Sequence, residues 1–302
     1  MAERLSRQQN NQVDRNNCFG LFLSMNSTHP IGVFDSGLGG MTILKEITTV
    51  LPEYHYMYLG DSARTPYGPR SFETVYEYTL QAVRWLFDQG CPLVILACNT
   101  ASAKALRTIQ QKDLPLIAPD RRVLGVIRPT TEVIGDYTET GHIGILGTQG
   151  TVDSGSYKIE IGKFFPEVKL YQQACPDWVP LVESGRYLQA DAAPIIKNCL
   201  DKLVEQSIYI DTILLACTHY PLLKELIESQ LTAPIQVVSQ GEIIASSLKY
   251  YLERHPEMAS RISRSEDQGQ IAFFTTGDSD EFGAKASIFW GEAIQSTTIK
   301  ID

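Results

Sequence analysis

The stretch PLVILACNTASAKAL (residues 92–106) decides the fold. Leu93–Ala97 is a short apolar run of the kind that forms a buried strand, and helical spacing begins near Ala101. Cys98 therefore falls just past a strand and just before a helix. A second stretch, DTILLACTHYPLLKEL (211–226), repeats the arrangement, with Cys217 in the register of Cys98 at an offset of 119. Pro221 suits the first turn of the helix that follows. Further out, HPIGVFDSGLGG (29–40) parallels GHIGILGTQGTV (141–152), with Gly32 matching Gly144 at an offset of 112. Two motifs recurring in the same order at nearly the same offset predict two homologous halves. The competing explanation is that apolar strands followed by turns look alike in any α/β protein.

Other strand-like runs are Ile31–Phe34, Tyr54–Leu59, Val123–Ile127, Ile143–Leu146, Val168–Tyr171, Thr212–Ala216, Ile235–Val238 and Ile271–Phe274. Between most of them lie segments with helical periodicity, such as Phe72–Phe87, where Val75, Tyr78, Thr79, Ala82, Trp85 and Leu86 share a face. Strands alternating with helices predict parallel sheets covered on both faces, an α/β protein. At 302 residues the chain is long enough for two such units. No apolar run approaches the roughly 18–20 residues a membrane-spanning helix needs. Thirty-five acidic against 26 basic residues give a net charge of −9, which argues against non-specific binding to nucleic acid or anionic lipid.

The six cysteines are Cys18, Cys91, Cys98, Cys175, Cys199 and Cys217. They form no CxxC pair, and only Cys217-Thr-His219 approaches a metal-ligand spacing, so free thiols in a reducing cytosol are expected. The N-terminus is polar and rich in Asn and Gln. Its short apolar patch, Cys18–Met25, resembles the core of a signal peptide. The long lead-in contains Glu3 and Asp14, and no small-x-small cleavage site follows, so residues 1–29 are expected to form a flexible extension.

In open α/β sheets ligands bind beyond the carboxyl ends of strands, where both Cys98 and Cys217 fall. A helix N-terminus there lowers a thiol pKa and makes thiolate available. A buried, inert cysteine filling a gap is the ordinary alternative for either residue alone. DSGLGG (35–40) ends the first strand and opens a helix near Met41; its glycines allow close backbone approach to an anion, and it has neither the GxGxxG nor the P-loop pattern of a nucleotide site. Asp35 and Ser36 sit at the strand tip, where a buried carboxylate needs a partner. GDSARTPYG (60–68) would lie beside that loop. CPDWVPLVESG (175–185) places Glu183 on an apolar helical stretch, and His219 is two residues from Cys217, able to relay a proton or stabilise a thiolate. One thiol with a base would suit acyl transfer. Two thiols on opposite sides of one cleft suit the inversion of a stereocentre, one serving as base and the other as acid. A third possibility is a metal or a redox disulfide held by Cys98, Cys217 and His219.

VFDSGLGG, GDSARTPYG, ACNTAS, CPDWVPLVESG, ACTHYPLL and TTGD (275–278), in this order over about residues 30–297, resemble the glutamate racemases. The resemblance implies cofactor-independent interconversion of L- and D-glutamate, supplying D-glutamate for peptidoglycan. It implies two similar α/β domains related by a pseudo-twofold axis around a cleft, with boundaries at 30–122 plus 238–302 for the first and 123–237 for the second. Cys98 would take the proton from the D-isomer and Cys217 from the L-isomer. Asp35 would assist Cys98, and His219 and Glu183 would assist Cys217. Asp35, Ser36, Tyr67, Gly68, Asn99, Thr100, Thr218 and His219 match the substrate contacts. The implied protein is cytoplasmic, a homodimer or a monomer, with glutamate as its small-molecule partner and with no metal, cofactor, nucleic acid or membrane involved. Aspartate or another small dicarboxylate is the alternative substrate, although the resembling aspartate enzymes tend to carry Glu where His219 stands. DRRVLGVIRPTTE (120–132) is longer and more basic than the family's usual text, and VVSQGE (237–242) has Ser239 where the family usually has Asp.

Overall fold

Ile31–Asp35 (β1) is buried along its whole length and pairs in parallel with a strand on each side, Tyr56–Gly60 (β2) and Leu93–Leu96 (β3). A strand in this position has no solvated face, which is why it reads IGVFD without apolar/polar alternation. The computed structural model describes residues 29–301, so the expected N-terminal extension lies, but for His29, outside the described residues. Arg122–Gly125 (β4), Ile271–Thr275 (β9) and Ser296–Thr298 (β10) complete a six-stranded sheet in the order β10-β9-β2-β1-β3-β4. His142–Gly147 (β5), Lys169–Ala174 (β6), Thr212–Ala216 (β7) and Gln236–Val238 (β8) form a second sheet in the order β6-β5-β7-β8. Every pairing between these strands is parallel.

The run β2-β1-β3-β4 of the first sheet has the same order as β6-β5-β7-β8 of the second. The repeat in the sequence thus has a counterpart in topology: Gly32 and Gly144 lie on the equivalent strands β1 and β5. Cys98 and Cys217 follow the equivalent strands β3 and β7.

The helices that position the site are Met41–Val50 (α1), Phe72–Asp88 (α2), Asn99–Lys104 (α3), Ile127–Thr131 (α4), Gln149–Asp153 (α5), Ser156–Phe164 (α6), Trp178–Glu183 (α7), Ala192–Val204 (α8), Gly241–Arg254 (α9) and Ser279–Trp290 (α10). The periodicity expected over 72–87 corresponds to α2, which begins where the Ser71 hydroxyl accepts from the Thr74 N–H at 3.1 Å. Its inner face is Val75, Thr79, Ala82, Val83, Leu86 and Phe87.

Three sequence expectations need correction. The run expected to open the second domain at residue 123 is β4, which pairs with β3 and so closes the first sheet; the crossing follows Gly125. The strand β10 was not foreseen, because Ser296–Thr298 is short, polar and largely exposed, with no apolar signal to read. The cysteines were expected to be free, but Cys175 and Cys199 form a disulfide with Cα atoms 6.0 Å apart, while Cys91, Cys98 and Cys217 are free and buried. That pair comes together only because α8 packs against β6, a contact that spacing along the chain does not show.

Gly60, at the tip of β2, marks a close approach. A methyl group there would sit 2.4 Å from the Gly37 carbonyl oxygen and 2.7 Å from the Phe282 ring. Gly60→Ala is therefore expected to destabilise the fold by about 1–3 kcal/mol through overpacking, read from the urea midpoint. A midpoint equal to that of the parent would contradict this packing.

Candidate active site

Both cysteines reach one cavity from opposite sheets. The cavity, of about 250 Å³, is lined by Ser36, Tyr67, Gly68, Cys98, Asn99 and Thr100 from the first unit and by Cys217, Thr218 and His219 from the second. These positions follow the carboxyl ends of β1, β2 and β3 in the first sheet and of β7 in the second, each continued by a loop or a helix start. The described residues lining the cavity include no lysine or arginine. Hydroxyls, the Asn99 amide and the His219 ring are what it offers to an anionic ligand.

Cys98 caps α3: its sulfur accepts from the Ala101 N–H at 3.5 Å and its thiol donates to Ser36 Oγ at 3.5 Å. The helix start was expected to make this thiol more acidic. Burial outweighs that effect and, with the nearby Asp35 carboxylate, pushes the Cys98 thiol up to about 12, against the downward pull of Ser36 and Ala101. Cys98 is thus held as a protonated thiol near neutral pH.

Cys217 has a different neighbour. Its sulfur lies 3.9 Å from His219 Nδ1, and His219 Nε2 lies 3.1 Å from Glu183 Oε1. Burial alone would lower the His219 pKa. The contacts with Cys217 and Glu183 overcome it and hold the imidazole up to about 10, so the ring carries a charge beside the sulfur. Glu183 is not on the cavity wall; it braces the histidine from behind, at the end of α7, with its side chain about a quarter exposed.

Asp35 also stands behind the wall. It is fully buried, accepting from the Gly37 N–H at 2.9 Å and from the Thr218 hydroxyl at 3.2 Å. Burial raises its pKa, with the His219 charge and these two donors acting the other way. The Thr218 bond joins the two units. Tyr67 lines the cavity, but its hydroxyl donates to the buried Asp61, which also accepts from Arg64 Nε at 2.7 Å and Thr276 Oγ1 at 2.6 Å.

In the glycine loop, Gly39 lies against the opposite unit: a Cβ on it would come within 2.4 Å of Thr218 Oγ1 and 2.5 Å of His219 Nδ1. Only a residue without a side chain lets the loop close over that pair.

Several lining residues escaped sequence reasoning. Thr65, Thr148, Gln149, Cys175, Pro176 and Val179 all face the cavity. Thr148 caps α5 and its hydroxyl meets that of Thr100 at 2.9 Å across the cleft. The repeat contained the signal for it, since GTQG (147–150) stands where DSGL (35–38) stands in the first half, with Thr148 in the place of Ser36. Among the described residues, no group of three or more His, Cys, Asp or Glu side chains is placed to share a metal ion, and no helix is long and apolar enough to cross a membrane.

Residues 40–248 match the family of Asp/Glu/Hydantoin racemases. The chain is 36% identical over 272 residues to glutamate racemase 2 of Caldanaerobacter subterraneus subsp. tengcongensis, covering 90% of this chain and 97% of that protein. It is 39% identical over 253 residues to the glutamate racemase of Listeria innocua, covering 83% and 90%. Among solved structures, glutamate racemase RacE1 of Bacillus anthracis superimposes with a TM-score of 0.81 at 32% identity, covering 90% of this chain and 97% of that one. The Francisella tularensis glutamate racemase in complex with D-glutamate gives 0.80 at 28% identity, covering 91% and 98%.

Proposed function

We propose, for a chain that belongs to the Asp/Glu/Hydantoin racemase family and within it to the glutamate racemases, a reaction run by the two cysteines without a cofactor. The observation that carries this reading is that the free sulfurs of Cys98 and Cys217 line one cavity from the ends of equivalent strands in two facing units.

In the L-to-D direction, the Cys217 thiolate takes the α-proton of L-glutamate, and the electron pair left on carbon is delocalised into the α-carboxylate. The Cys98 thiol then gives its proton to the opposite face. The products are D-glutamate, a Cys217 thiol and a Cys98 thiolate, and the D-to-L direction runs the same steps backwards. Two protonation states must differ before each turnover, and the two cysteines have different surroundings. The charged His219 ring stands 3.9 Å from the Cys217 sulfur, whereas burial and Asp35 favour a thiol at Cys98. Glu183 holds His219 in place. Asp35 acts on Cys98 through its charge and fixes Thr218, without touching the substrate. Ser36, Asn99, Thr100, Thr218 and the Tyr67–Gly68 backbone bind the carboxylates and the ammonium group. The D-glutamate so formed would serve peptidoglycan synthesis.

The test is the optical signal of D-glutamate incubated with protein freed of small molecules under reducing conditions. Decay to the racemic value is expected, with aspartate turned over far more slowly. A flat trace with glutamate would overturn the reading.

A further inference from the structure

Asn99 follows Cys98 directly, lines the cavity and is 2% exposed, yet both ends of its amide are already held from outside the first sheet. Its Oδ1 accepts from the Tyr157 hydroxyl at 2.6 Å, and its Nδ2 donates to Gln240 Oε1 at 2.8 Å. Gln240 Nε2 in turn donates to Tyr157 OH and to Thr130 Oγ1, both at 2.8 Å, and lies 3.3 Å from the Val126 carbonyl oxygen. Asn99, Gln240 and Tyr157 thus form a closed ring of three hydrogen bonds. The orientation of that ring is fixed at one point. The Val126 oxygen can only accept, so the nitrogen of Gln240 must face it; the oxygen of Gln240 then faces Asn99, which must answer with its own nitrogen. One N–H of Asn99 remains for a ligand.

The ring and the two groups that anchor it come from both units and from the two crossings between them. Val126 and Thr130 lie on the outgoing crossing, Gln240 on the return crossing between β8 and α9, Tyr157 on α6 of the second unit, and Asn99 on α3 of the first. We propose that Gln240 is a positioning residue: it fastens both crossings to the amide of Asn99 and so presents that amide to the substrate in a single orientation. This rests on Asn99 being a substrate contact, as read above. A glutamate at 240 would turn an oxygen toward the Val126 carbonyl, and an asparagine would fall one methylene short. The role therefore demands both the length and the polarity of glutamine.

The test is steady-state kinetics in both directions on Gln240→Met, which keeps the length of the side chain, adds no charge and removes the amide. Loss of about one oriented hydrogen bond is expected to raise the KM for glutamate about 10-fold while changing kcat less than about 3-fold. Combining Gln240→Met with Asn99→Ala should raise KM no further than Asn99→Ala alone, because the glutamine acts only through the asparagine. Should Gln240→Met fail to fold, Tyr157→Phe opens the same ring at its hydroxyl and should shift KM in the same direction, again without adding to Asn99→Ala. Unchanged KM in the folded variants, or effects that add to that of Asn99→Ala, would overturn the proposal. Racemisation by the parent protein is the control, so failure of the underlying reading would show there first.

Discussion

Cys98→Ala and Cys217→Ala are each expected to lower racemisation by about 10²–10⁴-fold in both directions. Each turnover needs one group to accept a proton and another to deliver one, so neither direction survives the loss of either sulfur. The two variants should nevertheless differ in heavy water. On the proposed roles Cys217→Ala keeps the sulfur facing the α-proton of D-glutamate, and it should exchange that proton for deuterium without inversion. Cys98→Ala should do the same for L-glutamate. Proton NMR of the α-position with each enantiomer reads both effects. Racemisation near the parental rate in either variant would contradict the assignment of roles. Both residues are buried and make only weak sulfur hydrogen bonds, so melting curves close to that of the parent are expected alongside.

His219→Asn carries the second large effect. The imidazole stands between Cys217 and Glu183, and asparagine cannot supply a charge beside the sulfur. A loss of about 10²-fold or more is expected, greater when the reaction starts from L-glutamate at saturating concentration, because Cys217 is then the base. The same residue leaves a trace in stability. Its pKa stands near 10 in the folded protein against 6.5 in the unfolded chain. A group raised in this way stabilises the fold in full below about pH 6.5, and the contribution is lost as pH rises through about 10. Melting temperature should therefore fall from pH 6.5 toward pH 10 more steeply in the parent than in His219→Asn. Parallel slopes in the two proteins would contradict an imidazolium at this site.

The two strand ends that carry Cys98 and Cys217 are legible in the sequence because their signals are local. A buried parallel strand must be almost wholly apolar, so LVILA before Cys98 and TILLA before Cys217 can be read without coordinates. The repeat of that pattern, and of the glycine turn after β1 and β5, placed both sulfurs at strand ends and on equivalent strands. Features made by packing between distant segments were not legible. Cys175 meets Cys199 only through the return of α8. Gln240 meets Asn99 across 141 positions of sequence, and nothing in VVSQGE points to it. Electrostatics was misread for a related reason. The helix start at Cys98 is local and visible, whereas the burial and the Asp35 charge that outweigh it belong to the assembled fold. The glycines of DSGLGG signal close approach in the sequence, whereas the neighbours that Gly39 meets, Thr218 and His219 of the other unit, come from the assembled fold.

The central claim, that the proton leaves to one sulfur and arrives from another, is tested most directly by following L-glutamate in heavy water at low conversion. If two thiols face opposite sides of the α-carbon, nearly all of the first D-glutamate formed should carry deuterium, while the remaining L-glutamate keeps its hydrogen. Early product that retains the original hydrogen, or deuterium entering the unreacted L-glutamate as fast as D-glutamate appears, would mean that a single base serves both faces.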